Sequence, residues 1–200
     1  MRHRRQSGMA LHPCDSPMPV TNVAPQRYMT DFHASGSSMQ IDRVDQLVQA
    51  LHDAGKPRSA WRLGTEWEKL LVRRDTGQAV PFSGPDGVEV VLRELAERFG
   101  WNPSEEAGRC IGLQRDGASI TLEPGGQLEI SGAPFTTLHE TAADLRINIE
   151  ELLAVCQRRG VAVLGLGIQP QSTLDEIEWV PKPRYRIMGP YMLTVGTLGQ

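Results

Sequence analysis

A chain of 200 residues is long enough to bury one sizeable hydrophobic core. Its 21 Lys and Arg stand against 24 Asp and Glu, and no basic run extends beyond Arg2 to Arg5, so nucleic acid is not expected as a partner. Cys14, Cys110 and Cys156 show no CxxC spacing and form no even set, which excludes a disulfide framework, and no run of about 20 apolar residues is present to span a bilayer.

Residues 1–40 mix Pro, Ser, Met and Arg without helical or strand periodicity, and acids first appear at Asp15. This composition reads as a disordered extension. An organellar transit peptide is the alternative, because the stretch begins Arg-rich and acid-poor. With no apolar core of a secretory signal in this stretch and a cysteine pattern suited to a reducing compartment, the expected location is the cytoplasm.

Folded sequence is expected from Ile41, where Ile41, Val44, Leu47, Val48 and Leu51 recur at helical spacing before Gly55 and Pro57. The stretch WRLGTEWEKLLV, Trp61 to Val72, reads as a strand that turns at RRDTG. Period-two alternation puts Trp61, Leu63, Thr65, Trp67 and Leu71 on one face, and Arg62, Gly64, Glu66 and Glu68 on the other. A second helix is expected from Gly87 to Phe99 on the stripe Val88, Val91, Leu92, Leu95 and Phe99, with Gly100 as its stop. RCIGL and ASITLE flank QRDG as a hairpin, since Asp116-Gly117 suits a turn needing positive φ.

Pro124-Gly125-Gly126 then breaks the chain before QLEIS, where Gln127, Glu129 and Ser131 alternate with Leu128 and Ile130. The longest helix is expected from about Leu138 to Arg159, with Thr137 and Glu140 spaced as a capping box and a buried stripe of Leu138, Ala142, Leu145, Ile149, Leu152, Leu153 and Cys156. VAVLGLGI, Val161 to Ile168, has the continuous apolar character of a strand buried on both faces. The Pro-rich remainder reads as loop.

Glu66, Glu68, Glu123 and Glu129 all lie in or beside strand-like sequence, where an uncompensated charge is costly to bury. If they converge on one polar sheet face, they form an oxygen-donor set of the kind that holds Mg²⁺ together with phosphate oxygens, and the adjacent Gly125-Gly126 pair lets backbone approach a ligand. The plainer alternative is a solvated strand face and an ordinary Gly-rich hairpin. His52 and His139 fall within helices and read as surface or helix-packing residues rather than ligands. Cys110 and Cys156 occupy apolar positions and read as structural.

GTEWEK (Gly64 to Lys69), SITLEPGGQLEISGAP (Ser119 to Pro134), TLHET (Thr137 to Thr141), LGLGIQP (Leu164 to Pro170) and PKPRYRIM with PYM (Pro181 to Met192) resemble, in this order, the plant-type glutamate-cysteine ligases. The resemblance covers Ile41 to Gln200. It implies an α+β, glutamine-synthetase-like fold, in which an antiparallel sheet with flanking helices forms a funnel lined by metal-binding acids. It also implies an enzyme that uses ATP to activate the γ-carboxylate of L-glutamate as an acyl phosphate, which the amine of L-cysteine attacks to give γ-glutamylcysteine, the first step of glutathione biosynthesis.

Carried onto matching positions, Glu66, Glu68 and Glu129 are implied Mg²⁺ ligands and Glu123 a fourth, while Arg184 and Tyr185 are implied substrate-binding residues. No catalytic residue is assigned. Trp67 replaces a His of the family motif, on the strand face opposite Glu66 and Glu68. Family members are longer, so residues 41–200 are expected to be the N-terminal part of the catalytic domain. A noncatalytic module that binds Mg²⁺ or glutamate, or a ligase with another amine acceptor, is the alternative.

Overall fold

The computed structural model describes residues 41–197. The expectations for residues 1–40, Cys14 included, lie outside the described residues. The chain forms helices α1 (Val44–Asp53), α2 (Val88–Phe99), α3 (Leu138–Arg158) and α4 (Pro183–Met192). Its strands are β1 (Glu66–Arg73), β2 (Asn102–Glu106), β3 (Arg109–Arg115), β4 (Ala118–Leu122), β5 (Leu128–Ser131) and β6 (Val161–Leu164).

The strands make one open antiparallel sheet in the order β2-β3-β4-β5-β1-β6. The expected α+β class with flanking helices is present. Two-residue turns set the meander on one side. Asp116 and Gly117 both have positive φ, as the expected β3–β4 hairpin requires, and Ala107 and Gly108 repeat the geometry between β2 and β3.

One sheet face is apolar. Leu113, Ile120, Leu122, Leu128, Ile130 and Leu71 pack against Val88, Val91, Leu92 and Leu95 of α2 and against Leu152, Val155 and Cys156 of α3. The α2 stripe matches its sequence pattern, and Gly100 ends the helix in the left-handed region at φ 71°. Ion pairs fasten the helices. Glu89 of α2 takes Arg93 at 3.0 Å, Arg109 of β3 at 2.7 Å and the Cys110 N–H at 2.9 Å, and Arg115 of β3 reaches Glu151 of α3 at 2.9 Å.

Several expectations need correction. Strand β1 begins at Glu66, not Trp61; only Leu63 of the preceding residues forms a bridge, to Phe135. The α1 stripe forms a helix but is not buried by any of the described residues: Leu51 is 79% exposed, and the helix has no buried residue among them. In α3 the capping box is present, but Leu138 is 71% exposed and the buried positions are Thr141, Asn148, Leu152, Val155 and Cys156. The phase shifts because Thr141 and Asn148 find polar partners inside, at Leu63 O and at Asp144 and Arg115.

VAVLGLGI is not a strand buried on both faces. Only Val161–Leu164 pairs, at the sheet edge beside β1, and Ile168 is 82% exposed. The tail expected as loop contains α4, started by Pro183 in the first turn, where its fixed φ suits a helix and its missing N–H costs nothing. No helix among the described residues is long and apolar enough to cross a membrane.

Candidate functional site

The second face of the sheet is polar because strand alternation makes it so. Cross-strand partners lie on the same face, and the register gives two adjacent rows. In one, Glu68 of β1 pairs with Glu129 of β5, which pairs with Thr121 of β4. In the next, Glu66 pairs with Ser131, which pairs with Ser119. Directly opposed side chains have Cβ atoms about 4.5–5.5 Å apart, so the carboxylates of Glu68 and Glu129 can reach one cation between them. Glu66 stands two residues along its strand, about 6–7 Å away.

These acids are accessible, so the burial that demanded compensation in the sequence does not arise: Glu66 and Glu68 are exposed and Glu129 half-buried. Glu129 accepts from Thr121 Oγ1 at 3.4 Å and Ser131 Oγ at 3.3 Å. Among the described residues none of Glu66, Glu68, Glu123 and Glu129 is in an ion pair. Lys69 turns to the other face, where its Nζ donates to Glu68 O at 2.8 Å and stands 3.6 Å from the Trp67 ring centre. Burial lowers its pKa. Trp67 thus lies opposite Glu66 and Glu68, packed against the core.

Among the described residues no three acidic, His or Cys side chains close around a single point as a complete metal site. The donor set nevertheless fits Mg²⁺, which commonly takes one or two carboxylates and fills its remaining positions with water and phosphate oxygens. Glu68 and Glu129 are such a pair.

Glu123 is placed apart from that pair. It opens the Glu123–Gln127 turn, with its N–H on Gln127 O at 2.9 Å and its carbonyl accepting from Gly126 at 2.9 Å. Its charged neighbours are Lys182 and Arg184. Gly126, at φ 79°, serves this turn, and the space beside Gly125 is filled by the Gln127 and Ile177 side chains. The glycine pair is therefore a covered turn; it is not an open approach to backbone.

Arg184 and Tyr185 sit at the start of α4. Tyr185 is 4% exposed, and its hydroxyl donates to Leu122 O at 2.9 Å while accepting from Arg184 Nη2 at 2.9 Å. Arg184 is the accessible member of the two. Lys182, which the sequence did not single out, is buried and donates to the same Leu122 carbonyl at 2.8 Å. Burial and then the Arg184 charge lower its pKa. The only sequence signal for it was its place between two prolines. Cys110 and Cys156 are buried free thiols, as expected; burial raises both, Cys156 to about 12, so neither is a ready nucleophile.

Residues 62–200 match the family described as Glutamate-cysteine ligase family 2 (GCS2). Over 155 residues the chain is 43% identical to glutamate–cysteine ligase A, chloroplastic, of Oryza sativa subsp. japonica, covering 78% of this chain and 31% of that protein. It is 39% identical over 155 residues to the chloroplastic glutamate–cysteine ligase of Arabidopsis thaliana, covering 78% and 29%. The Medicago truncatula protein of that name is 39% identical over 153 residues, covering 76% and 30%. The chain thus spans about a third of the length of the curated relatives it matches. Their names overturn the expectation of a cytoplasmic protein, because these relatives are chloroplastic. The match across residues 62–200 covers well over half of the sequence, and the chain belongs to glutamate-cysteine ligase family 2.

Proposed function

We propose that residues 41–200 form the N-terminal part of the catalytic domain of an ATP-dependent glutamate–cysteine ligase, and that residues 1–40 are an extension to it. On this reading the open sheet is one wall of a glutamine-synthetase-like funnel. The observation that carries the reading is the cross-strand opposition of Glu68 and Glu129 on an accessible face, in a chain of this family.

In the reaction the γ-carboxylate of L-glutamate attacks the γ-phosphorus of ATP, ADP leaves, and the amine of L-cysteine then displaces phosphate from the acyl phosphate. Each partner in the first step is anionic. Bound Mg²⁺ supplies charge screening and stabilises the negative charge spread over the transferring phosphoryl group. Glu68 and Glu129 would hold it; Glu66 stands in the next row and Glu123 apart at its turn, so water and phosphate oxygens would fill the remaining positions. Their strands are fixed by the packed face behind them, so the carboxylates are pre-positioned before substrate arrives.

Arg184 is the residue suited to an anionic substrate group, since a guanidinium offers bidentate donors to a carboxylate or phosphate. Tyr185 serves it indirectly. Its hydroxyl, anchored on Leu122 O, receives Arg184 Nη2 and so orients the guanidinium. The test is phosphate release from ATP by the protein at its full native length. Release that requires both L-glutamate and L-cysteine is expected. Release with either one alone, or equally with ammonia in place of cysteine, overturns the cysteine-ligase reading.

A further inference from the structure

The segment that closes the acidic rows at one end is held from behind by α3. Leu63 and Phe135 exchange backbone hydrogen bonds at 2.7 and 2.8 Å, Gly132 N–H donates to Thr65 O at 2.8 Å, and Thr141 Oγ1 of α3 reaches Leu63 O at 3.3 Å. Asp144, one turn further along α3, faces the same junction. Its carboxylate accepts the Ala133 N–H and, at 3.2 Å, the Asn148 side-chain amide. A Cβ on Gly132 would stand 2.7 Å from Thr65 Oγ1 and 3.0 Å from Asp144 Oδ2, so the three segments interlock where only glycine fits. The Thr65 hydroxyl is buried there without a hydrogen-bond partner.

We propose that Asp144 is a positioning residue for the acidic face: it ties the end of β5 to α3, beside the Thr141 tie to Leu63, and so helps fix the register that sets Glu68 against Glu129. As far as Mg²⁺ is concerned, this rests on the function proposed above. A one-residue slip between β1 and β5 would turn the acids of one strand toward the apolar core. The packed half of β1 resists such a slip at Leu70 to Val72, but Glu66 and Glu68 lie at its exposed end. Asp144 joins Thr141 and the Leu63–Phe135 pairing in holding this end.

Stability alone does not account for a carboxylate in this place. Burial pushes the Asp144 carboxyl up from its ordinary value, against the pull of the Ala133 N–H, Arg115 and Asn148, with Glu151 pushing the same way as burial. A carboxyl raised on folding opposes the folded state when ionised, so its neutral replacement is not expected to lower the melting temperature at pH 7. Register, and through it the metal pair, is what the charge and its hydrogen bonds supply.

The test compares wild type and Asp144→Asn at full native length, by amide hydrogen exchange and by Mg²⁺ titration of product formation. Exchange about tenfold faster at 63–69 and 129–135, with α2 unchanged, is the expected signature of losing this clamp. The Mg²⁺ concentration for half-maximal rate should rise about tenfold, more than the saturating rate falls. Unchanged exchange in both segments, or equal acceleration across α2 and the sheet, overturns the proposal. If wild type forms no product, the proposed function fails while the exchange comparison still decides the positioning role. Should Asp144→Asn not fold, Asp144→Ala, which removes the acceptor without adding a donor, gives the same reading: local acceleration in the two segments supports the clamp, and none overturns it.

Discussion

Glu68 on β1 and Glu129 on β5 are direct cross-strand partners, two like charges side by side on an accessible face, and among the described residues neither is in an ion pair. Opposed like charges cost a sheet roughly 0.2–1 kcal/mol. Glu68→Gln is therefore expected to raise the melting temperature of the metal-free protein slightly, and the gain should shrink as salt screens the pair. A lower melting temperature in Glu68→Gln would mean that the carboxylate has a stabilising partner.

Tyr185 has its hydroxyl on a buried backbone carbonyl that also takes Lys182. Tyr185→Phe removes one of the two donors. It should cost about 1 kcal/mol in urea unfolding and weaken glutamate binding through the freed Arg184. A residue that touches substrate with its hydroxyl would show the reverse: lost activity at unchanged stability.

The pattern that reveals the acids is legible in the sequence, because period-two alternation in GTEWEK and QLEIS depends on backbone geometry alone. The same holds for α2, whose stripe and closing glycine are local signals, and for the Asp116-Gly117 turn. What was not legible depends on partners far along the chain. The hydroxyl of Tyr185 has its acceptor at Leu122 O, 63 residues away. Thr141 and Asn148 look like solvent positions until Leu63 and Arg115 satisfy them inside, which rotates the buried side of α3. Strand β2 was missed because NPSEE has a proline and two acids, tolerable only in a strand at the sheet edge.

Glu89 illustrates how α2 is held. Burial would raise its pKa, but the Cys110 N–H, Arg109 and Arg93 together bring it below the ordinary glutamate value of 4.5. A carboxyl depressed on folding stabilises the fold above that value, and the contribution is lost as pH falls through the lower, folded value. Glu89→Gln should therefore lower stability by about 2 kcal/mol at pH 7. In melting curves taken against pH, its deficit relative to wild type should narrow below pH 4.5. A deficit that stays constant into acid would exclude the ion-pair account.

Helix α1 turns its apolar stripe to solvent. Among the described residues it has no packing partner to lose, so Leu51→Lys should change the unfolding free energy of the 200-residue chain by no more than about 0.5 kcal/mol. A loss of 2 kcal/mol or more, on the order expected for a buried leucine, would place the stripe in a core.

The central claim is that the acidic sheet face holds the metal that serves phosphoryl transfer. Glu129→Gln at full native length keeps the side chain's size and removes its charge, and the measurement is γ-glutamylcysteine formation across a Mg²⁺ titration, with thermal unfolding as the control for folding. The account predicts a severe loss of rate at limiting Mg²⁺ in a protein that melts no lower than wild type. A near-normal rate at limiting Mg²⁺ would contradict it.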